Sequence, residues 1–211
     1  MHLTIIAKAP EPGRVKTRLC PPCTPRQAAE IAAAALADTI DAVDATVADP
    51  RWKNQVRRVV LLDGRAGEWV PDTYDVVAQR GDGLGERLAN GFGELGPGVI
   101  VGMDTPTAGR WLGDALRAVS AGHDALGAAT DGGYWVIGLA TTDPRVFDGI
   151  PMSASHTGVA QLRRLHRLGR TVRLLPMTRD LDDIADLRAH ARSGNPGRTA
   201  AVARSVVEEL G

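Results

Sequence analysis

Short apolar runs alternate with helical patterns along most of the chain, and this alternation limits the fold more than any other feature. Residues 3–7 (LTIIA) are a continuous apolar run, typical of a strand that is buried on both faces. Thr24, Pro25 and Gln27 then supply the cap, first turn and capping box of a long helix. Further strands are predicted at 57–63, 74–79, 98–104, 124–130, 134–139 and 171–176, and further helices at 84–95, 107–121, 157–168, from Asp183, and 199–210.

Strands that alternate with helices predict an α/β fold, three layers deep, in which helices cover both faces of a mostly parallel sheet. With 211 residues, 44% of them hydrophobic, the chain can bury one sizeable core, so we expect a single domain over residues 1–211. Two segments, 124–130 and 134–139, flank a tight Asp-Gly-Gly. They are predicted to form either a hairpin or a strand that enters a site and returns.

The overall charge excludes some classes of partner. Lys and Arg number 25, as do Asp and Glu, so no bulk attraction to nucleic acid or to an anionic membrane is predicted. No apolar run reaches the length of a membrane span, and the apolar stretch after Met1 ends at Lys8 without a cleavage site. We therefore expect a cytoplasmic protein whose anion sites come from local clusters of basic side chains.

One such cluster follows the first strand directly, in the sequence AKAPEPGRVKTRL. Lys8, Arg14, Lys16 and Arg18 lie on a backbone that prolines stiffen and that Gly13 allows to turn. Arginine gives planar, bidentate contacts to phosphate oxygens and lysine a compact charge, so the set suits a di- or triphosphate. The alternative is a solvated basic loop. The spacing matches neither a P-loop nor a dinucleotide-binding turn.

Ligands of such sheets bind outside the carboxyl ends of the strands. The basic loop, the stretch after Gln79, Asp104 and Asp131 should therefore share one edge of the sheet. Cys20 and Cys23 form a CPPC pair, which can be a redox dithiol, half of a zinc site or two incidental thiols. The third interpretation is favoured, because a second pair of metal ligands is not evident and a basic loop separates the pair from the strand.

The motifs together resemble a known family. AKAPEPGRVKTRL, QRGDGLGERL, VGMDTP, DGGYWVIGL and DLDDIADL occur in this order across nearly the whole chain. They resemble a bacterial family of uncharacterised nucleotide-diphospho-sugar transferase-like proteins of the glycosyltransferase-A type. The resemblance also implies kinship with the molybdenum-cofactor and phospholactate guanylyltransferases, so it leaves glycosyl and nucleotidyl transfer both open.

A divalent metal is expected at Asp104. Taken alone, Asp104 would be a turn or cap residue, but it is predicted to face the basic groups, and Mg²⁺ (or Mn²⁺) binds through one or two carboxylates and phosphate oxygens. The resemblance implies that Asp182 is the second metal ligand. Asp180 and Asp183 are reserves, whose alternative role is to cap the helix near Asp183.

The resemblance also implies roles at the two ends of the site. Gly83 and Gly85 would leave room for the nucleoside, while Glu86 and Arg87 would serve the helix surface. Asp131 would lie near the acceptor and orient or deprotonate its hydroxyl, and a turn role is equally open. Tyr134 and Trp135 are core residues or a wall for a sugar, with the core favoured, and His156 is favoured as a surface residue. Met152 and Ala154 stand where the family pattern leads us to expect a tryptophan and a threonine.

Three hypotheses follow. The first is a Mg²⁺-dependent transferase that moves the sugar of a nucleotide-diphospho-sugar to a small-molecule acceptor, with Asp104, Asp131 and Lys16 as catalytic residues. The second is a nucleotidyltransferase that uses a nucleoside triphosphate and a phosphorylated small molecule and releases pyrophosphate, which the density of basic residues would suit. The third is non-enzymatic: a nucleotide-binding module or a CPPC redox protein.

Overall fold

A computed structural model describes residues 1–107, 109–194 and 196–211. Seven strands form one sheet: β1 (His2–Lys8), β2 (Arg57–Asp63), β3 (Asp75–Ala78), β4 (Gly98–Gly102), β5 (Asp124–Ala129), β6 (Tyr134–Leu139) and β7 (Val172–Thr178). Six helices complete the fold: α1 (Pro25–Val47), α2 (Leu84–Leu95), α3 (Leu112–Ser120), α4 (Thr157–Arg167), α5 (Ile184–Arg192) and α6 (Arg198–Leu210).

The strand order is β3-β2-β1-β4-β6-β5-β7. All neighbouring pairs are parallel except β6, which runs antiparallel to both β4 and β5. The connection between β5 and β6 is therefore a hairpin, the first of the two predicted alternatives. From β1 the chain continues to β2 and β3 on one side and then returns to β4 on the other side. The carboxyl end of β1 therefore lies at a topological switch point of the sheet.

Helices cover both faces of the sheet, as the alternation predicts. On one face α1 packs against β1, and α3 packs against β4, β5 and β6; Leu36 and Leu116 belong to the same buried cluster as Leu3. On the other face α2 and α4 supply Phe92 and Leu165 to a second core. A third cluster joins α1 to α5 and α6. The three-layer α/β prediction is confirmed.

Capping residues predict the starts of α1 and α5 correctly, but not the start of α3. Thr24 caps α1 in a complete capping box with Gln27, and Asp183 caps α5 in the same way, both as predicted. The helix predicted from Thr107 is wrong at its start, because α3 begins only at Leu112, after a short 3₁₀ turn over Gly109–Trp111. That turn packs closely on α1: a Cβ at Gly109 would lie 2.3 Å from the Ala42 Cβ. No helix in the described ranges is long and apolar enough to cross a membrane.

His2 is a buried polar side chain in the sheet. It is 1% exposed, and its Nε2 lies 3.1 Å from the Gly96 carbonyl and its Nδ1 2.7 Å from the Thr4 hydroxyl. A carbonyl only accepts, so Nε2 carries the proton and the Thr4 hydroxyl donates to Nδ1. Burial is the main cause that lowers the pKa of His2 from 6.5 to about 4.

We expect this histidine to make the protein acid-sensitive. As the pH falls, the unfolded chain binds the His2 proton at a higher pH than the folded protein does. The stabilising effect of His2 is therefore fully present above pH 6.5 and is lost as the pH falls through about 4. The size of the pKa shift corresponds to about 3 kcal/mol in the free energy of unfolding. Urea unfolding from pH 7 to pH 4 on the wild type and on His2→Gln measures this as the difference between the two profiles.

The comparison with His2→Gln is needed because Asp180 titrates in the opposite sense. The pKa of Asp180 is raised from 3.8 to about 6, so its contribution to the free energy of unfolding is present below pH 3.8 and is lost as the pH rises through about 6. Both proteins contain Asp180, and its effect cancels in the difference. A difference that stays constant with pH would contradict the role given to His2.

Candidate functional site

A cavity of about 750 Å³ opens at the carboxyl ends of β1 and β4. All four segments predicted for this edge line it: the basic loop, the stretch after Gln79, Asp104 and Asp131. The floor is apolar and comes from strand residues such as Ile6, Ile100 and Ile137. Such a cleft at the switch point of an α/β sheet is a usual place for a ligand, so the cavity is the candidate site.

Lys16 joins three segments at the centre of this site. Its side chain is 4% exposed, and its Nζ donates to the Asp104 Oδ1 at 2.7 Å and to the Leu181 carbonyl. The Leu181 N–H in turn donates to the Asp104 carbonyl at 2.9 Å. The first loop, the segment after β4 and the DLDD segment are thus held together by one buried ammonium and one backbone hydrogen bond.

The other basic side chains of the loop are partly neutralised. Arg18 pairs with Asp182, and Arg14 pairs with Glu11 at 3.1 Å. Lys8 has no acidic partner within ion-pair distance among the described residues. The loop is therefore not four free positive charges, as its sequence suggests: three of the four are matched by carboxylates, two of which are the predicted metal ligands.

The donor atoms of Asp104 and Asp182 fit a hard divalent cation. Both line the cavity, and each commits one carboxylate oxygen to a basic side chain. No preformed cluster of three His, Cys, Asp or Glu side chains suited to a metal is found in the part of the chain that the structure describes. Two carboxylates are the usual protein share of a Mg²⁺ site in which phosphate oxygens and water complete the shell.

Asp180 and Asp131 add negative charge beside them. Both line the cavity. Burial, and next the negative charge of Asp131, raise the pKa of Asp180 to about 6. Asp183, the other reserve, accepts from the Ala185 and Asp186 N–H groups at 2.8 and 3.0 Å. Its capping alternative is the one that the structure shows.

The three predicted glycines differ in position. Gly83 lines the cavity, and a Cβ there would meet nothing within 4 Å. Gly85 does not line it: its Cβ position lies 3.2 Å from the Met152 Cε, so this glycine serves packing. Gly13 does not line it either, and its φ of 79° shows that its contribution is the shape of the loop.

Arg87 lines the cavity, although its place in the helix predicts a surface role. Its Nη1 donates to the Asp63 Oδ2 at 2.8 Å and to the Gln79 Oε1 at 3.1 Å. Gln79 donates to the carbonyls of Ala7 and Leu61, so it braces the ends of β1 and β2. Helical spacing alone assigns Arg87 to the surface, and only the fold brings Asp63 to it.

The Asp-Gly-Gly turn is fixed by contact with the chain before α4. The Asp131 Oδ1 accepts the Gly133 N–H at 2.7 Å, which is its turn role. A Cβ at Gly132 would lie 1.9 Å from the Ser155 carbonyl oxygen, and the Gly158 N–H donates to the Gly132 carbonyl at 2.8 Å. The close approach predicted for these glycines is thus to another backbone, and it leaves the Asp131 carboxylate on the cavity wall.

The aromatic and histidine side chains follow the favoured alternatives in part. Trp135 is 3% exposed and donates to the Pro176 carbonyl at 3.1 Å, so it belongs to the core. Tyr134 lines the cavity, and burial raises the pKa of its hydroxyl. Met152, one of the two departures from the family pattern, packs between Tyr134 and Gly85. His156 is exposed and does not line the cavity.

The Cys23 thiol does not have the surroundings of a reactive thiolate. Both thiols are free, Cys20 half-buried and Cys23 buried. Burial, with the charge of Cys20, raises the pKa of the Cys23 thiol. Reactive cysteines have a lowered pKa, so this favours incidental thiols.

Comparison with known proteins agrees with the resemblance. A model of the family DUF2064, uncharacterized proteins conserved in bacteria, matches residues 30–154. The chain belongs to this family. No curated protein shows significant similarity to this DUF2064 member.

Solved structures similar to the DUF2064 member include the following two. A protein of Desulfovibrio desulfuricans, provisionally named a nucleotide-diphospho-sugar transferase, superposes with a TM-score of 0.86 at 24% identity and covers 99% of this chain and 96% of its own. Rv0371c of Mycobacterium tuberculosis gives a TM-score of 0.50 at 19% identity, with coverage of 89% and 96%. At these identities the likeness establishes the fold, which is the nucleotide-diphospho-sugar transferase-like fold that was predicted.

Proposed function

We propose that this DUF2064 member is a Mg²⁺-dependent (or Mn²⁺-dependent) transferase that uses a nucleotide-diphospho-sugar and passes the sugar to a small acceptor. The observation that carries the proposal is the bridge made by Lys16. One buried ammonium touches the carboxylate of Asp104 and the backbone of the segment that contains Asp182. This bridge supports a site in which the basic loop binds the diphosphate beside the two carboxylates that we assign to the metal.

The basic loop binds the diphosphate. Lys8, which lacks an acidic partner among the described residues, and Lys16 contact phosphate oxygens, while Arg14 and Arg18 lie at the outer edge, 62% and 66% exposed. Asp104 and Asp182 would hold the cation, whose positive charge would offset the negative charge of the departing nucleoside diphosphate. Lys8 and Lys16 already line the cavity, so they would stabilise the developing negative charge with little reorganisation.

The nucleoside lies toward α2. Gly83 leaves an open surface at the start of that helix, and Arg87 braces the neighbouring strand ends. We place the acceptor beside Asp131, which lines the cavity in the turn between β5 and β6. There it takes the proton of the acceptor hydroxyl as the oxygen attacks the anomeric carbon and the bond from that carbon to the diphosphate breaks. Positioning of the two substrates supplies much of the remaining rate.

Thermal unfolding tests the proposal with UDP-, GDP-, ADP- and TDP-sugars and the nucleoside triphosphates, each with and without Mg²⁺. A ligand present at one hundred times its dissociation constant stabilises by about 2.7 kcal/mol, roughly 5 to 10 °C for a chain of this size. We expect a Mg²⁺-dependent shift with one class of sugar nucleotide. A shift confined to a triphosphate would favour nucleotidyl transfer, and no shift with any of them would contradict the assignment.

A further inference from the structure

Positive charge is concentrated in one stretch of a chain that is neutral overall. Residues 149–179 contain six arginines and two histidines, but no aspartate, glutamate or lysine. The rest of the chain then holds 19 Lys and Arg (25 less these six) against 25 Asp and Glu, a net charge of −6. The basic stretch includes the whole of α4 and β7. The protein is therefore polarised, with these two elements positive and the remainder negative.

The helix α4 carries its charge on the side that faces away from the sheet. Val159, Arg163, His166 and Arg167 follow one another at spacings of four, three and one, so they form one stripe along the helix. All four are exposed. Leu165 belongs to the core on this face of the sheet. The outer stripe of α4 is thus a basic surface that begins with an aliphatic side chain.

Half of the arginines in the stretch are not used by the protein itself. Three of them donate to a carbonyl or lie beside a carboxylate: Arg164, Arg170 and Arg179. The other three, Arg163, Arg167 and Arg173, are exposed and have no ion-pair partner within the described ranges. Their charge is available to a negatively charged partner.

Apolar side chains are exposed on the same two elements. Among the described residues six large hydrophobic side chains are exposed, and half of them lie here: Val159, Leu174 and Met177, at 52%, 58% and 65%. Leu174 is on the α4 side of the sheet, because alternate residues of a strand share a face and Val172 packs into the core beneath α4. The surface therefore combines unpaired positive charge with exposed hydrocarbon.

The strand β7 lies at the edge of the sheet, and two of its residues oppose the addition of another strand. Pro176 has no N–H to donate, and Arg173 is charged and exposed. Proline and charge are devices by which edge strands avoid pairing. A second copy of the chain on this surface would also bring two sets of arginines together. A partner that is negative and adds no strand fits better.

We propose that α4 and β7 form a docking surface for a membrane that contains anionic lipids. The arginines contact the lipid headgroups, and Leu174 and its apolar neighbours enter the outer part of the hydrocarbon region. The negative remainder of the chain is repelled by the same lipids, so the field of the protein fixes its orientation. A nucleic acid would satisfy the arginines but leave the apolar side chains in water.

Docking would also bring the cavity close to the lipid surface. Ser155 and Thr157, at the start of α4, line the cavity, so its opening lies at one end of the basic stripe. The proposal does not depend on the transfer reaction, because it rests on a surface outside the cavity and is tested by binding alone.

Sedimentation with lipid vesicles measures how strongly the purified protein binds. One set of vesicles contains equal parts of phosphatidylglycerol and phosphatidylcholine, and the other contains phosphatidylcholine alone. We expect binding to the anionic vesicles to be at least about tenfold stronger than to the neutral ones, and to weaken as the salt concentration rises. Equal binding to the two sets, or binding to neither, would overturn the proposal.

Arg163→Gln combined with Arg167→Gln should weaken binding to the anionic vesicles by about tenfold or more, since each arginine near such a surface contributes about fivefold. The matched control is Arg188→Gln combined with Arg204→Gln. It removes the same charge from exposed positions on α5 and α6, which pack with α1 on the other side of the sheet from α4. The control should bind like the wild type. Equal losses in the two double variants would contradict a docking surface at α4.

Leu174→Ser separates the apolar contribution from the charge. We expect a severalfold loss of vesicle binding that persists at high salt, where the effect of the arginines shrinks. Because Leu174 is exposed, the melting temperature should change little. Duplex DNA of random sequence is added as a competitor. Displacement from the vesicles by DNA at an equal concentration of phosphate groups would identify a nucleic acid as the partner and overturn the proposal, as would unchanged vesicle binding by Leu174→Ser.

Discussion

Asp104→Asn should abolish turnover, a loss of at least about 10³-fold, while the protein stays folded. The carboxylate is needed because a neutral amide binds a divalent cation far less well and adds no charge to balance it. Asparagine keeps an oxygen that can accept from Lys16, and the backbone hydrogen bond to Leu181 does not involve the side chain. We expect a loss of about 1 to 2 kcal/mol in the free energy of unfolding.

The assay is the initial rate with the sugar nucleotide that stabilises the wild type, with the melting temperature of the same sample. Asp75→Asn is the matched control: its carboxylate also pairs with a basic side chain, Arg57, but it lies at the start of β3. That variant should keep full activity. Full activity in Asp104→Asn would remove the metal role from this residue.

Gly132→Ala should destabilise the protein by roughly 3 to 5 kcal/mol, with a fall in melting temperature of about 10 °C or more. Two costs add here. The φ of 90° is one that alanine rarely adopts, and the new Cβ would lie 1.9 Å from the Ser155 carbonyl oxygen and 2.4 Å from its carbon. Both clashing atoms are backbone, so the turn or the segment before α4 must move.

Gly122→Ala separates the two costs. Its φ is 82°, close to that of Gly132, but a Cβ there would meet nothing within 4 Å. We expect only the backbone cost, about 1 to 2 kcal/mol. Differential scanning calorimetry on both variants gives the comparison. Equal losses of stability in the two variants would mean that the contact with Ser155 does not hold the turn. The same contact would then not hold Asp131 on the cavity wall.

The sheet and most of its helices were predictable because their signals are local. The buried run at residues 3–7 became β1, and the cap residues Thr24 and Asp183 start α1 and α5 where they should. The edge of the sheet that holds the site also followed from a general rule about parallel strands. Asp104 and Asp131 were brought to one cavity by that rule, without any knowledge of side-chain positions.

What the sequence did not show depends on contacts between distant segments. Nothing in the spacing of the basic loop indicates that Lys16 is buried against Asp104. That ion pair joins the loop after β1 to the segment after β4, and the two residues are 88 positions apart (104 − 16). The turn before α3 also depends on a distant segment, since a Cβ at Gly109 would lie 2.3 Å from the Ala42 Cβ on another helix. Gly85 was assigned to the ligand and proved to face Met152 for the same reason.

The most direct test of the central claim is the product that the enzyme releases. The wild type is incubated with Mg²⁺, each sugar nucleotide or nucleoside triphosphate, and a panel of small hydroxylated acceptors, and nucleoside diphosphate and pyrophosphate are quantified separately. We expect nucleoside diphosphate from one sugar nucleotide, released only with Mg²⁺ and not released by Asp104→Asn. Pyrophosphate from a triphosphate, with no nucleoside diphosphate from any sugar nucleotide, would contradict it.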